Sequence, residues 1–223
     1  MFERVISLVG EDNYNKIKST TVLIVGLGGV GGYALESLVR SGLGTLILID
    51  YDIIDKTNLN RQIITTQENI GTPKVSSAEA RVKSINPHCK VITERIFLDK
   101  DTINLLDKYH LDYIIDACDS VQAKKLLIDY ALSRNIKLIS SMGTANKLDP
   151  SKLAITDIRK TSYDPLAKII RKYVQELKTN KKIMVVSSTE QPQKTGCLAS
   201  MVFVPATAGL LLANYIIKDI LNN

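Results

Sequence analysis

Four glycines in six residues, Gly26-Leu27-Gly28-Gly29-Val30-Gly31, follow an apolar β-branched run and precede a helical pattern. Glycines there let the backbone turn tightly and approach phosphates, and the following helix N-terminus supplies free N–H groups and positive potential. Asp50 closes the next apolar run, where a carboxylate can accept hydrogen bonds from ribose hydroxyls. This much predicts a nucleotide site without choosing among NAD, FAD and ATP. The polar residues after Asp50 make the choice. Asp52, Asn58, Asn60, Arg61 and Gln62 cluster just beyond the ribose carboxylate, and Lys74 opens the next helix. Arg61 and Lys74 can neutralise a triphosphate, Arg61 with two-pronged geometry. Asp116 and Asp119 end a later strand, and Asp119 could hold Mg²⁺ against phosphates, since that ion takes one or two carboxylates plus phosphate oxygens. Together these residues predict ATP with Mg²⁺.

Strands alternating with helices must position these groups. Strands are expected at residues 21–25, 45–50, 91–95, 113–116, 137–141, 153–158 and 183–187. Helices are expected at 29–39, from Pro73 to about Ile85 with Thr72 as N-cap and Pro73 at N1, at 102–108 and at 121–133. Leu166, Ile169, Ile170, Tyr173, Val174 and Leu177 mark a further amphipathic helix. Residues 189–196 read as a polar loop, and a final strand and helix are expected after it. The fold class is α/β: a Rossmann-like, doubly wound, mainly parallel sheet. Residues 1–20 form a helical N-terminal segment, 21–150 the ATP-binding core, and 151–223 an extension packed with the core as one domain.

The chain has 223 residues, 45% hydrophobic and 23% charged, which excludes a disordered tail, a fibre or a disulfide scaffold. Cys89, Cys118 and Cys197 stand far apart, with no C-x-x-C zinc pair. Cys118 reads as a packing residue and Cys197 as a small apolar residue entering the final strand. Residues 1–10 hold Glu3 and Arg4 and no apolar run, so no signal peptide is expected. The apolar stretch 201–217 contains Pro205 and Asn214 and reads as a buried helix, not a span. The expectation is a cytoplasmic protein with no membrane partner. Residues 159–182 carry eight bases and two acids, which equals the whole +6 formal excess of the chain. Such a concentration points to a polyanion-facing surface, with Lys168, Arg171 and Lys172 off the apolar stripe.

The constellation of residues 26–31, Asp50, Asp52, Asn58, Asn60, Arg61, Gln62, Lys74 and Asp119 resembles the ThiF/HesA/MoeB superfamily, adenylyltransferases related to ubiquitin-activating enzymes. The resemblance implies adenylation of a carboxylate, with the residues matching Asn60, Arg61 and Lys74 on phosphates and the one matching Asp119 on the metal. It also implies a homodimer, because an arginine at the place of Arg4 commonly reaches the phosphates of the second subunit. Further runs narrow it: SSMGTANKLDP at 140–150, NRQI at 60–63, INP at 85–87, TDI at 156–158, KTS at 160–162 and DPLAK at 164–168. These are similar to the tRNA threonylcarbamoyladenosine dehydratases. That implies a tRNA substrate, whose threonylcarbamoyl group beside the anticodon is activated by ATP and closed into a ring with loss of water. A sulfur-transfer or redox partner protein is compatible with this reading.

The main rival is adenylation of the C-terminal Gly of a ubiquitin-like sulfur carrier. Such relatives often carry two zinc Cys pairs, absent here, and some have a Cys where Asp164 stands before Pro165. A non-catalytic nucleotide- or RNA-binding module would be expected to have lost part of the set Asn60, Arg61, Lys74 and Asp119. An NAD oxidoreductase is disfavoured because His88 and His110 have no partners placed for catalysis.

Overall fold

The computed structural model describes residues 1–222; Asn223, the last residue of the expected C-terminal extension, lies outside the described residues. Two helices open the chain, α1 (Glu3–Val9) and α2 (Glu11–Ser19). Strands β1 (Thr21–Val25), β2 (Thr45–Ile49), β3 (Lys90–Glu94), β4 (Tyr113–Asp116), β5 (Lys137–Ser141), β6 (Leu153–Asp157) and β7 (Met184–Ser188) join one sheet in the order β3-β2-β1-β4-β5-β7-β6. All neighbours are parallel except β6, which runs antiparallel to β7 at the edge. The fold is therefore a doubly wound, mainly parallel α/β sheet. The central strands TVLIV and TLILI read as unbroken apolar runs because helices cover both faces. One face carries α3 (Gly31–Arg40), α4 (Lys74–Ile85) and α7 (Phe203–Leu221), and the other carries α5 (Val121–Arg134) and α6 (Pro165–Glu176).

The strand order reverses between β1 and β4. At that switch point the helices leave on opposite faces, so a crevice opens at the C-terminal strand ends. The glycine turn, Asp50 and Asp119 all follow those ends.

Four local expectations need correction. No strand follows residue 188 among the described residues; 189–202 is an irregular strap leading to α7. The edge beside β7 is already taken by β6, and Pro192 and Gly196 (φ 70°) break extended pairing. Cys197 is consequently exposed in that strap, not packed into a strand. Helix α4 begins one residue later than expected, with Pro73 as its N-cap, and the Thr72 hydroxyl donates to the Asn69 carbonyl instead of capping. On α6, Ile169 is 47% exposed, and the buried stripe is Ala167, Ile170 and Val174.

Helix α7 is long and apolar enough to cross a bilayer by length and composition. Its Val204, Ala208, Leu212 and Ile216 are buried against the sheet and α3, which makes it a core helix.

Candidate functional site

Backbone geometry explains the glycines. Gly26 has φ 89°, and a Cβ there would lie 2.7 Å from the Ala117 carbonyl oxygen. A Cβ on Gly31 would lie 1.8 Å from the Gly26 carbonyl oxygen. The turn after β1 is thus pressed against the end of β4 on one side and folded onto α3 on the other. Asp50 locks it from below: one carboxylate oxygen accepts the Leu27 N–H (2.6 Å), the other the Asp52 N–H (2.9 Å).

Residues 51–74 fold into turns that rim the crevice. Asn58 is buried and spends its amide oxygen on the Asp55 N–H in a capping box, so it shapes the rim. Asn60 and Arg61 stand together: one Arg61 terminal nitrogen, Nη1, donates to the Asn60 amide oxygen (2.8 Å) and the Thr57 carbonyl (3.0 Å). Asn60 in turn donates to the Ser200 carbonyl (2.9 Å), joining the rim to the strap. Gln62 is buried beneath the glycine turn, and its Oε1 has no hydrogen-bond partner among the described residues. A buried acceptor without a donor costs about 1–3 kcal/mol, so a ligand or water hydrogen there is favoured. Lys74 is 6% exposed and pairs with Asp52 at 2.7 Å.

Asp119 is exposed and makes no hydrogen bond or ion pair among the described residues. The Tyr51 phenol is pushed above its ordinary value by Asp52 first, then burial, then Asp119 and Asp50. Three carboxylates therefore lie close enough to Tyr51 to act on it. Asp52 is committed to Lys74 and Asp50 to backbone, which leaves Asp119 as the hard oxygen donor. No cluster of three or more His, Cys, Asp or Glu side chains is placed to hold a metal by protein ligands alone among the described residues. The donor set fits Mg²⁺ only in the form one carboxylate plus phosphate oxygens.

Several groups escaped sequence reasoning. Tyr51 and Phe97 form an exposed edge-to-face pair beside Asp50, with centroids 5.0 Å apart. The aromatic between Asp50 and Asp52 was visible, but its partner lies on the segment after β3. Below Asp119, Lys124 is fully buried and bonds both Asp116 oxygens (3.1 Å each), the Ser140 hydroxyl (3.2 Å) and the Ser141 carbonyl (2.8 Å). It ties the ends of β4 and β5 together. Cys118 donates its thiol to Asp116, and burial foremost, then the Asp116 charge, pushes that thiol far up and makes it inert. Beyond β5, Lys147 is buried with Asp164 (2.9 Å), which also caps α6 through the Ala167 N–H (2.8 Å). The position before Pro165 is therefore a structural acid, not a thiol site.

The outlying expectations separate. Arg4 is exposed on α1, and its guanidinium makes no hydrogen bond or ion pair among the described residues. Lys168 and Lys172 are exposed on α6, but Arg171 is not available: it donates to the carbonyl and hydroxyl of Thr161. Arg159 likewise binds Asp157 and the Thr179 carbonyl. The sequence pattern counted both as surface charge because their partners lie on turns. His88 and His110 are exposed.

The ThiF family model matches residues 2–223. The chain belongs to the ThiF family. Among the family's members, the tRNA threonylcarbamoyladenosine dehydratase of Bacillus subtilis (strain 168) is 37% identical over 241 residues, spanning 100% of this chain and 95% of that protein. The E. coli tRNA N6-threonylcarbamoyladenosine dehydratase superposes in its AMP complex with a TM-score of 0.93 at 31% identity, covering 99% of this chain and 94% of that one. Its ATP complex gives a TM-score of 0.92 at 32% identity, covering 99% and 93%.

Proposed function

We propose that the protein dehydrates N6-threonylcarbamoyladenosine beside the anticodon of tRNA, using ATP to close the threonylcarbamoyl group into a ring. One observation carries this reading: a full-length match to dehydratases, one of them with ATP or AMP bound, coincides with a tight glycine turn and uncommitted polar groups at the switch point.

The threonyl carboxylate oxygen attacks the α-phosphorus of ATP and pyrophosphate leaves. A nucleophilic atom of the carbamoyl group then attacks the acyl carbon, loses its proton, and AMP departs. Net, one water is removed and ATP becomes AMP and pyrophosphate. The nucleophile is already tethered, so its effective molarity is high and no enzyme thiol is needed. The reaction balances without electrons or sulfur, so a sulfur-transfer or redox partner would be auxiliary.

This chain's residues take these parts. Asp50 holds the glycine turn and offers its remaining lone pairs to the ribose. Tyr51 and Phe97 give the adenine an aromatic shelf. Arg61, Asn60 and the turn N–H groups meet phosphate charge as it develops. Lys74, held by Asp52, supplies a second cation. Mg²⁺, held by Asp119, would neutralise the triphosphate. Arg4 of a second copy would complete the site in a homodimer. The setting is cytoplasmic, where modified tRNA is found.

The test is to incubate the protein with Mg-ATP and threonylcarbamoylated tRNA, digest the RNA and weigh the nucleosides. A nucleoside lighter by one water, formed only with ATP and lost in Arg61→Ala, is expected. No mass loss from a preparation that binds ATP and tRNA would overturn the reading.

A further inference from the structure

The bases of residues 159–182 fall into two groups once folded. Arg159 and Arg171 are bound internally. Lys160, Lys168, Lys178 and Lys182 are exposed, and their ammonium groups make no hydrogen bond or ion pair among the described residues. Lys172 lies 3.9 Å from Glu176, both ends exposed, a pair too loose to cancel its charge.

Their placement follows α6. The helix starts at the rim of the site: its cap, Asp164, holds Lys147, and an Asp164 oxygen lies 2.8 Å from where a Gly143 Cβ would be, just past β5. It has 12 residues, hence a length of about 18 Å. It ends at the opposite, N-terminal end of β5 and β7. There Lys181 donates to Asn135 (2.8 Å), and the Ile158 N–H bonds the Ile183 carbonyl (2.9 Å). Two cavities of ≈ 210 and ≈ 360 Å³ adjoin at this foot of the sheet and share Lys182 and Met184. Lys181 lines the first and Lys160 the second. The acids at the foot are engaged, Asp157 by Arg159 and Asp219 by Lys137. Lys168 and Lys172, four residues apart on one face, lie between rim and foot.

We propose that this foot, with Lys160, Lys178 and Lys182, binds the phosphodiester backbone of the anticodon stem, and that Lys168 and Lys172 guide the strand from the site toward it. The proposal rests on the tRNA reading above. A base held at the strand ends leaves phosphates one helix-length away, and that is where unpaired cations gather. The charge is sequence-blind, as expected of contacts that position an RNA while its unpaired loop is read elsewhere.

The test is a filter-binding titration of tRNA against salt, from about 50 to 200 mM. Each lost phosphate contact lowers the log–log slope by roughly 0.7–0.9. K160A/K178A/K182A is therefore expected to lower it by about 2–3, with ATP affinity and Tm unchanged. Lys90→Ala, at the opposite edge of the sheet, is the control and should leave the slope alone. On an oligonucleotide of the loop alone, wild type and triple variant should coincide. An unchanged slope in the triple variant, an equal fall in Lys90→Ala, or an equal loss on the loop oligonucleotide would each overturn the proposal. The binding readout is independent of turnover: a lowered slope without water loss would keep the surface and remove the reaction.

Discussion

Gly28 is the position where structural and functional demands for glycine come apart. A Cβ built there meets only the Gln62 side-chain nitrogen, at 3.9 Å, and its φ is not in the left-handed region. Gly28→Ala should therefore fold. Reduced freedom of the unfolded chain would even stabilise it by about 0.4–1 kcal/mol, which is a Tm rise of a few degrees at roughly 2–4 °C per kcal/mol. Gly31→Ala is the contrast, because its methyl would sit 1.8 Å from the Gly26 carbonyl oxygen, a backbone atom that cannot swing aside. If phosphates approach the turn as proposed, the Gly28 methyl holds them off and removes one or two hydrogen bonds to a charged group. Each is worth about 1.5–3 kcal/mol. At 1.4 kcal/mol per decade, losing one such bond should lower ATP affinity roughly 10- to 100-fold, and losing two should lower it by more than about 100-fold. Calorimetric titration with ATP, beside thermal unfolding of the same sample, separates the two effects. A Gly28→Ala protein with wild-type ATP affinity would refute the phosphate-cradle argument; a collapsed Tm would show that the glycine serves only the fold.

Other consequences can be measured independently. Lys124→Met leaves Asp116 buried without its cation, which costs about 3–5 kcal/mol and should lower Tm by roughly 6–20 °C. Adding Asp116→Asn should recover much of that loss, and a single variant within about 1 kcal/mol of wild type would contradict the assignment. Burial pushes the Glu36 carboxyl up, but the hydrogen bonds from Arg81 and Arg40 outweigh it and hold it below its ordinary 4.5. Its stabilisation is therefore present above about pH 4.5 and is lost as pH falls through the folded value. The unfolding free energy of Glu36→Gln from urea titration should lie about 1 kcal/mol below wild type near neutrality, the half-exposed arginines limiting the effect, and converge with it in acid. A constant gap across pH would argue against the linkage. Iodoacetamide should label native protein at Cys197 alone, since burial raises Cys89 to about 11 and silences Cys118. Cys197→Ala should keep full ATP-dependent water loss; an inactive variant would favour an acyl-transfer route through a thiol.

Much of the sheet could be read from the chain because its signals are local. TVLIV, TLILI and YIID are apolar runs of strand length, and the glycine turn sits where β1 must become α3. The candidate ribose and phosphate residues could be grouped for the same reason: Asp50, Asn60, Arg61 and Lys74 lie within one short stretch of the chain. What escaped depends on contacts between distant segments. Lys124 sits at helical spacing among apolar residues and looks like a surface lysine until β5 brings Ser140 and Ser141 over it. Arg159 and Arg171 looked like two more surface cations until turns at Thr179 and Thr161 claimed them. The strand expected after residue 196 failed because an apolar stretch cannot show whether a sheet edge is open to it, and here β6 had already closed it.

Those long-range contacts change the chemistry inferred, not only the fold. Removing Arg159 and Arg171 from the surface count leaves Lys168 and Lys172 along α6 and gathers the rest of the polyanion-facing charge at the foot where the helix ends. The same correction turns Asp164 from a departure at a thiol position into the anchor that fixes where α6 begins. With Lys147 buried against it, α6 leaves the rim in one direction only, and its length then determines how far from the reacting base the exposed lysines stand. A buried ion pair thus links the adenylation site to the surface proposed for the RNA. Loosening Asp164 should disturb tRNA binding before it disturbs ATP binding, because the glycine turn is held separately by Asp50.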